Sequence, residues 1–246
     1  MLLCIHTMFA AAPVTLSDGL TSDRAHAFER VYAEGRWVNG ADGARNCLSG
    51  WSDVGNGQAV AAVKAVASVV EMFGVRSIVD VPCGDGCFAA GMLNALRNRS
   101  SAPTVVAYTG IDIVRSLVER NRAHLGDERT QFMVADVVAS ASPLPAADLL
   151  FSRQMLQHMC SEDALRFVRL VARSSARFAL LSTFKTDDDF VNTDIPCASG
   201  GYRPQDLTKP PFSLPAPLFL FDEMYPIDRR ISLGLWRVGA LRHRLL

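Results

Sequence analysis

Four charged residues each follow a short apolar segment of this 246-residue sequence, and together they could form one ligand-binding site. They are Asp80, Asp112, Asp136 and Arg153. The segments before them are rich in aliphatic residues, which is typical of buried parallel strands. Because the carboxyl ends of parallel strands meet at one edge of a sheet, where such folds bind ligands, we expect these side chains to surround one site.

A glycine-containing loop directly follows Asp80. Gly84 and Gly86 permit a tight turn, and apolar residues at helical spacing begin after Gly86. The segment Gly84-Asp-Gly-Cys-Phe-Ala89 matches the G-x-G-x-x-A pattern of dinucleotide-binding folds, in which backbone N–H groups receive a pyrophosphate. Asp80 and Asp85 would repel a pyrophosphate, whereas they would attract a cation. The charges of this loop therefore favour a positively charged ligand.

The segment Asp80-Val-Pro-Cys-Gly-Asp-Gly86 resembles the first motif of class I S-adenosylmethionine (SAM)-dependent methyltransferases, whose ligand carries an ammonium, a sulfonium and no phosphate. Gly110-Ile-Asp-Ile113 is similar to the family's second-strand motif, whose acid accepts hydrogen bonds from the ribose hydroxyls. Val134-Ala-Asp-Val137 is similar to the third-strand motif, whose acid accepts a hydrogen bond from the adenine amino group. Residues 148–154 correspond to the fourth-strand motif, which faces the methyl donor. The resemblance covers about residues 58–182 and implies SAM as the cofactor. The cofactor-binding residues that it implies are Asp80, Pro82, Cys83, Gly84, Asp85, Gly86, Asp112, Ile113, Asp136, Val137, Arg153 and Gln154.

A narrower likeness, to one subgroup of these methyltransferases, extends beyond the nucleotide motifs without defining a substrate. The segments that carry it are Trp37, Ser49-Gly50, Pro82-Cys-Gly-Asp85, Arg153-Gln-Met-Leu-Gln-His158, Gly201-Tyr-Arg-Pro204, Pro210-Pro-Phe212 and Leu235-Trp236. The sequence departs from the subgroup at Gly55-Asn-Gly57, where a serine-containing glycine loop is usual. We expect substrate contacts from Trp37, Tyr202 and Arg203.

His158 and Arg153 are the candidate catalytic residues. A hydroxyl acceptor needs a base with a pKa near the working pH, and histidine is the usual one. His158 follows Arg153 by about one helical turn, although a histidine here could equally pack or bind backbone. Arg153 could orient an anionic acceptor, or could pair with Asp80 or Asp136.

We expect a SAM-dependent methyltransferase acting on an oxygen, or a nitrogen, of a small molecule or glycan. The alternatives are an NAD(P)-dependent oxidoreductase of Rossmann type and a catalytically inactive binding protein with the same fold. Lys plus Arg and Asp plus Glu number 25 each, so no basic excess indicates a nucleic-acid partner. The apolar residues 1–16 lack a basic n-region and are too short to span a bilayer, so we expect no membrane partner.

The six cysteines form no C-x-x-C pair. We therefore expect reduced thiols, no metal site and a cytoplasmic location.

Strands alternating with helices predict a doubly wound α/β fold. We expect a mostly parallel, seven-stranded Rossmann-like sheet with antiparallel C-terminal edge strands. Residues 1–57 form an N-terminal segment and lid, and residues 58–246 form the SAM-binding domain, with a substrate-side cover at 185–217. Strands are expected at 77–81, 104–111, 132–135, 148–152, 178–182, 218–221 and 233–238. Helices are expected at 25–32, 58–73, from 87 onward, at 114–125, and at 162–174 with Ser161 as its N-cap.

Overall fold

The computed structural model describes residues 22–38, 47–50, 52, 57–98, 106–140, 142–224 and 228–246. The expectations for residues 1–16, for Trp51 and most of the 39–57 lid, and for the start of the second strand at 104–105 lie outside the described residues. Within the described residues, no helix is both long enough and apolar enough to cross a membrane.

The centre of the fold is one seven-stranded sheet in the order β3-β2-β1-β4-β5-β7-β6. Strands β1 to β5 run parallel, whereas β7 is antiparallel to both β5 and β6. The strands are β1 Ser77–Asp80, β2 Ala107–Asp112, β3 Thr130–Val134, β4 Leu149–Ser152, β5 Phe178–Phe184, β6 Phe219–Asp222 and β7 Ile231–Arg237. The predicted mostly parallel sheet with antiparallel C-terminal strands at its edge is therefore confirmed.

Six α-helices and a short 3-10 helix are seen in the described residues. They are α1 Asp23–Ala33, α2 Gly57–Phe73, α3 Cys87–Arg97, α4 Arg115–Leu125, the 3-10 helix Leu156–His158, α5 Ser161–Arg173 and α6 Val238–Leu245. The prediction that Ser161 caps α5 is wrong, because Cys160 occupies the N-cap and gives no side-chain cap. The backbone N–H of Ser161 instead donates a hydrogen bond to the carboxylate of Asp194 in the cover, at 2.8 Å. Asp194 thus accepts from the helix N-terminus in place of a local capping side chain.

Alternate strand residues point to opposite faces of the sheet, and each face packs against its own helices. Ile78, Leu149 and Phe178 are buried with apolar residues of α2 and α3. Val79 and Leu150 are buried on the other side with residues of α5 and α6. A sheet covered on both faces offers a ligand access only at its strand ends.

Strand β1 lies where the order of the sheet reverses, because β2 and β3 follow on one side of it and β4 on the other. A crevice opens outside the carboxyl ends of the strands at such a point. Asp80 ends β1, Asp112 ends β2 and Arg153 follows β4, so all three stand at this crevice.

Two disulfides, Cys47–Cys87 and Cys160–Cys197, correct the expectation that the cysteines are reduced. The partners are 40 and 37 residues apart, so only the folded chain brings them together, and a search for C-x-x-C spacing cannot find them. Cys83 is a free, buried thiol. Each bridge ties a segment beside the crevice to the N-terminal end of a helix, at the first residue of α3 in one case and at the N-cap of α5 in the other.

Candidate active site

A cavity of about 360 Å³ lies at the carboxyl ends of the parallel strands. Most of the side chains expected at the site line it: Trp37, Asp80, Pro82, Cys83, Gly84, Asp112, Ile113, Asp136, Val137, Arg153, Gln154, His158 and Tyr202. Asp85, Gly86 and Arg203 are not among the lining residues. The crevice therefore gathers the acids of three neighbouring strand ends in one cavity.

Asp80 lines the cavity and has one unsatisfied carboxylate oxygen within the part of the chain that the structure describes. Tyr108 donates its hydroxyl hydrogen to Oδ2 at 2.6 Å, whereas the buried Oδ1 has no hydrogen-bond partner among the described residues. Burial raises the pKa of Asp80 to about 7, and the hydrogen bond from Tyr108 opposes this rise. A buried acceptor without a donor is costly, so this oxygen is suited to a ligand that brings a donor or a positive charge.

Asp112 holds the glycine loop and keeps further capacity to accept hydrogen bonds. Its two oxygens receive the N–H of Gly84 at 2.8 Å and of Val114 at 3.0 Å. Burial raises the pKa of Asp112 to about 6, although these backbone hydrogen bonds lower it. A carboxylate has about four lone-pair sites, so Asp112 can still accept hydrogen bonds from ligand hydroxyls.

The glycine loop runs close to the segment 47–50, which covers it. Gly84 has φ +56°, and a Cβ built on it would lie 2.6 Å from Oγ of Ser49. Only glycine combines this backbone conformation with so close an approach. The glycine at this position therefore lets a covering segment close directly over the loop.

Asp85 turns away from the cavity and fastens that covering segment. Its carboxylate accepts hydrogen bonds from the backbone N–H groups of Leu48 and Ser49, and its own N–H donates to Oγ of Ser49 at 3.0 Å. Gly86 also faces elsewhere, because a Cβ there would meet the amide of Asn121. Asp85 and Gly86 thus shape the loop, and the cavity carboxylates come from the strand ends.

Asp136 differs from the other two acids because a cation already balances its charge. Arg24 of α1 bridges Asp136 at 2.5 Å and Asp163 at 2.8 Å. Ser22 and the backbone N–H groups of residues 138 and 139 also donate to Asp136. These contacts fasten α1 over the end of β3. Among the described residues, Asp80 and Asp112 form no such salt bridge.

Arg153 forms a buried salt bridge with Glu223 at 2.9 Å, and neither Asp80 nor Asp136 is its partner in a salt bridge. Its guanidinium lies 4.9 Å from the centroid of the Phe88 ring, and its charge lowers the pKa of Asp80. Gln154 lies next to it with φ +58°. A non-glycine residue in this conformation at a cavity is typical of a functional site.

An aromatic wall, formed by Phe28, Tyr32, Trp37, His158 and Tyr202, closes one side of the cavity. The ring centroids of Trp37 lie 4.8 Å from His158 and 5.2 Å from Tyr32. Those of His158 and Tyr202 are 5.7 Å apart. The wall joins the region of helix α1 and the turn after it to two distant segments, the 3-10 helix that carries His158 and the cover that carries Tyr202.

His158 has a defined tautomer. Its Nδ1 lies 2.8 Å from the carbonyl oxygen of Gly201, and a carbonyl can only accept, so Nδ1 carries the proton. Nε2 is then an acceptor. Burial lowers the pKa of His158 to about 4, so the ring is neutral at physiological pH.

Arg203 is buried outside the cavity and supports the cover from behind. It donates to the carbonyl oxygen of Met159 at 2.5 Å and lies 3.6 Å from the carboxylate of Asp194. The structure therefore gives Arg203 a contact with the backbone next to His158 rather than one with a ligand in the cavity.

Helix α1 contributes residues for which the sequence suggested no role at the site. Arg24, Phe28 and Tyr32 of α1 line the cavity, as does Arg36 in the turn that follows the helix. One signal could have indicated them, because a spacing of four residues places Phe28 and Tyr32 on the same helix face. The helix itself was predicted, but its orientation toward the strand ends depends on Arg24 and Asp136, which are 112 residues apart.

The cavity fits SAM by the chemistry of its donors and acceptors. The unpaired Oδ1 of Asp80 suits an ammonium, and the remaining lone pairs of Asp112 suit two ribose hydroxyls. Two buried carboxylates without a salt bridge among the described residues would favour a ligand with positive charge. The same two carboxylates would repel a negatively charged pyrophosphate.

Comparison with known proteins identifies the same fold. The family model for a methyltransferase domain matches residues 79–177. No match was found among curated proteins. The 1,6-didemethyltoxoflavin-N1-methyltransferase of Burkholderia thailandensis, solved with its substrate and S-adenosylhomocysteine, is 14% identical with a TM-score of 0.57. The alignment covers 93% of this chain and 92% of that one.

Two further solved structures share the architecture. The methyltransferase domain of a bacterial protein, CtHen1-CN, is 12% identical with a TM-score of 0.53, over 73% of this chain and 99% of that one. The CMeT domain of the citrinin polyketide synthase is 15% identical with a TM-score of 0.51, and the alignment covers 72% of this chain and 52% of that one. At such identities these likenesses show the fold alone.

Proposed function

We propose that this chain, a class I SAM-dependent methyltransferase by its matched domain and its fold, transfers a methyl group to an oxygen or nitrogen of a small molecule. The observation that carries the proposal is the buried Oδ1 of Asp80, which has no hydrogen-bond partner in the described parts of the chain, in a residue that lines the cavity together with Asp112. An ammonium at this oxygen would satisfy it and would stabilise the charged form of a carboxyl whose pKa burial raises.

When bound, SAM supplies an electrophilic methyl group on a sulfonium. The proposed role of Asp80 is to bind the ammonium, and that of Asp112 is to accept the ribose hydroxyls. The proposed role of Asp136 is to receive the adenine amino group, a role that its pairing with Arg24 would weaken. The backbone of Gly84 gives the ligand close access to the loop.

The protein's main contribution to methyl transfer would be alignment of the acceptor and exclusion of water. We propose that the N-terminal segment 1–57 acts as the lid, because α1 and Trp37 line the cavity. The cover at 185–217 would add Tyr202 to the aromatic wall on the same side of the cavity. The two disulfides hold both segments to the core, at Cys87 and at Cys160.

His158 is the proposed proton acceptor, because its Nδ1–H is held by Gly201 and its Nε2 can accept. Arg153 would act as a positioning residue, since its guanidinium already binds Glu223. A small-molecule acceptor is supported by the enclosed aromatic cavity, and a small molecule is also what the Burkholderia relative has bound. A cytoplasmic location stays a prediction, and the two disulfides weigh against a reducing compartment.

Thermal unfolding in the presence of S-adenosylhomocysteine tests the proposal. At a hundredfold excess over its Kd, the ligand stabilises a protein by about 2.7 kcal/mol, or roughly 5–10 °C in Tm for a chain of this size. NADH at the same concentration should give no shift. Asp112→Ala should abolish the shift, whereas Asp188→Asn on the exposed surface should retain it. A shift with NADH and none with S-adenosylhomocysteine would refute the proposal.

A further inference from the structure

Building on the proposed function, we infer that the methyl acceptor is a planar aromatic molecule that carries a hydroxyl or a ring N–H. Its ring would lie against Trp37, and the atom to be methylated would lie next to Nε2 of His158.

The first observation is the composition of the aromatic wall. Phe28, Tyr32, Trp37, His158 and Tyr202 come from four separate segments and meet with centroid distances of 4.8–6.0 Å. Trp37 contacts three of the other four rings. Aromatic pairs at these distances favour offset or edge-to-face packing. A further flat ring placed in the cavity would extend the same packing.

The second observation is that the charged side chains near this wall already have partners. Arg24 binds two aspartates, Arg153 binds Glu223, and Arg36 binds Glu34. A sugar ring would bring several hydroxyls into a region bounded by ring faces, and each hydroxyl left without a partner would weaken binding. A planar aromatic acceptor with one polar group needs only one such partner.

The third observation is that the wall provides this partner. His158 has its Nδ1 proton bound to Gly201, so the nitrogen that remains for a ligand is an acceptor. It can receive a hydrogen bond from a hydroxyl or from a ring N–H. An ether, a ketone or a tertiary amine brings no such donor.

The chemical step balances with the groups present. The acceptor oxygen or nitrogen forms the new bond to the methyl carbon, and the sulfur–methyl bond breaks with its electron pair passing to sulfur. The acceptor's proton becomes far more acidic as the new bond forms, so even a weakly basic Nε2 can take it. His158 then carries the proton as an imidazolium and releases it to solvent.

Ligand binding to the protein saturated with S-adenosylhomocysteine tests the inference. The probes are 2-naphthol, its saturated analogue decahydro-2-naphthol, which keeps the hydroxyl but is not flat, and methyl α-glucoside. Affinities would be measured by saturation-transfer NMR titration. We expect 2-naphthol to bind at least about tenfold more tightly than either comparison ligand, because stacking contributes beyond simple area burial.

Two variants locate the contact. Trp37→Leu should weaken 2-naphthol binding about tenfold, whereas Phe219→Leu, which changes an exposed ring on β6, should not change it. Naphthalene, which lacks the hydroxyl of 2-naphthol, should bind the wild type roughly three- to tenfold more weakly than 2-naphthol does. In His158→Phe the two ligands should bind equally tightly, because the partner of the hydroxyl is gone.

The outcomes separate this inference from the proposed function. If S-adenosylhomocysteine does not stabilise the protein, the proposed function fails and the inference fails with it. If it does stabilise the protein, the inference alone is overturned by any of three results. These are equal or tighter binding of decahydro-2-naphthol or methyl α-glucoside, no binding of 2-naphthol, and unchanged 2-naphthol affinity in Trp37→Leu.

Discussion

The affinity for S-adenosylhomocysteine should depend on pH through the protonation of Asp80. Burial raises the pKa of this carboxyl to about 7. Only the charged carboxylate attracts the ligand's ammonium, so the competent form of the site is populated as the pH rises through 7. The perturbation is therefore a change of buffer from pH 8 to pH 6, with no change in the chain.

The size of the effect follows from the fraction of competent protein. With a pKa near 7, about 90% of Asp80 is charged at pH 8 and about 10% at pH 6, and the apparent Kd varies inversely with this fraction. The expected loss of affinity is about tenfold, or about 1.4 kcal/mol. Asp112, with a pKa of about 6, adds to the loss in the same direction.

Isothermal titration calorimetry at pH 6, 7 and 8 measures this dependence, and proton release can be followed in buffers of different ionisation enthalpy. 5′-Methylthioadenosine, which lacks the ammonium, should show a much smaller dependence. Tyr108→Phe removes the hydrogen bond that lowers the pKa of Asp80, so the midpoint should move to higher pH.

A constant affinity for S-adenosylhomocysteine from pH 6 to pH 8 would show that Asp80 does not bind the ammonium. The same conclusion would follow if 5′-methylthioadenosine showed the same tenfold loss, because the ammonium would then have no part in it. A midpoint that moved to lower pH in Tyr108→Phe would contradict the assigned direction of the hydrogen bond.

Three other changes test separate parts of the site. Gly84→Ala should lower both the free energy of unfolding and the affinity for S-adenosylhomocysteine. Gly74→Ala is the control, because the backbone of Gly74 is also left-handed but a Cβ there would meet open space. It should lower the free energy of unfolding in chemical denaturation by only about 1–2 kcal/mol. Replacing both Cys47 and Cys87 by Ser should lower the free energy of unfolding by about 4 kcal/mol, because the variant loses a cross-link over 40 residues. An unchanged denaturation midpoint would mean that the disulfide does not form. Arg153→Met removes the guanidinium that pairs with the buried carboxylate of Glu223 and should cost about 3–5 kcal/mol, which the same measurement checks.

Local sequence patterns predicted the sheet and the acids at its edge because strand ends are marked by short-range signals. The change from an apolar run to Asp80 or Asp112 marks the end of a strand, and the glycines after Asp80 mark the turn. The C-terminal helix α6 was missed because it continues directly from β7. Its N-cap, Arg237, makes no side-chain cap, so no local signal separates the helix from the strand.

The remaining features of the site depend on contacts between distant residues. The position of Asp85 in the loop indicates that it is near the ligand, but not that its carboxylate turns toward the backbone of residue 49. The placement of α1 depends on the bridge of Arg24 to Asp136 and Asp163, and the aromatic wall depends on that placement. A single sequence contains no local pattern from which such pairings can be read.

A crystal structure of the protein with S-adenosylhomocysteine bound would show whether Asp80 and Asp112 bind the nucleoside as proposed. We expect the ligand in this cavity, with its ammonium nitrogen about 3 Å from Oδ1 of Asp80 and its ribose hydroxyls on Asp112. An ammonium directed away from Asp80, or a ligand bound elsewhere on the chain, would contradict this expectation.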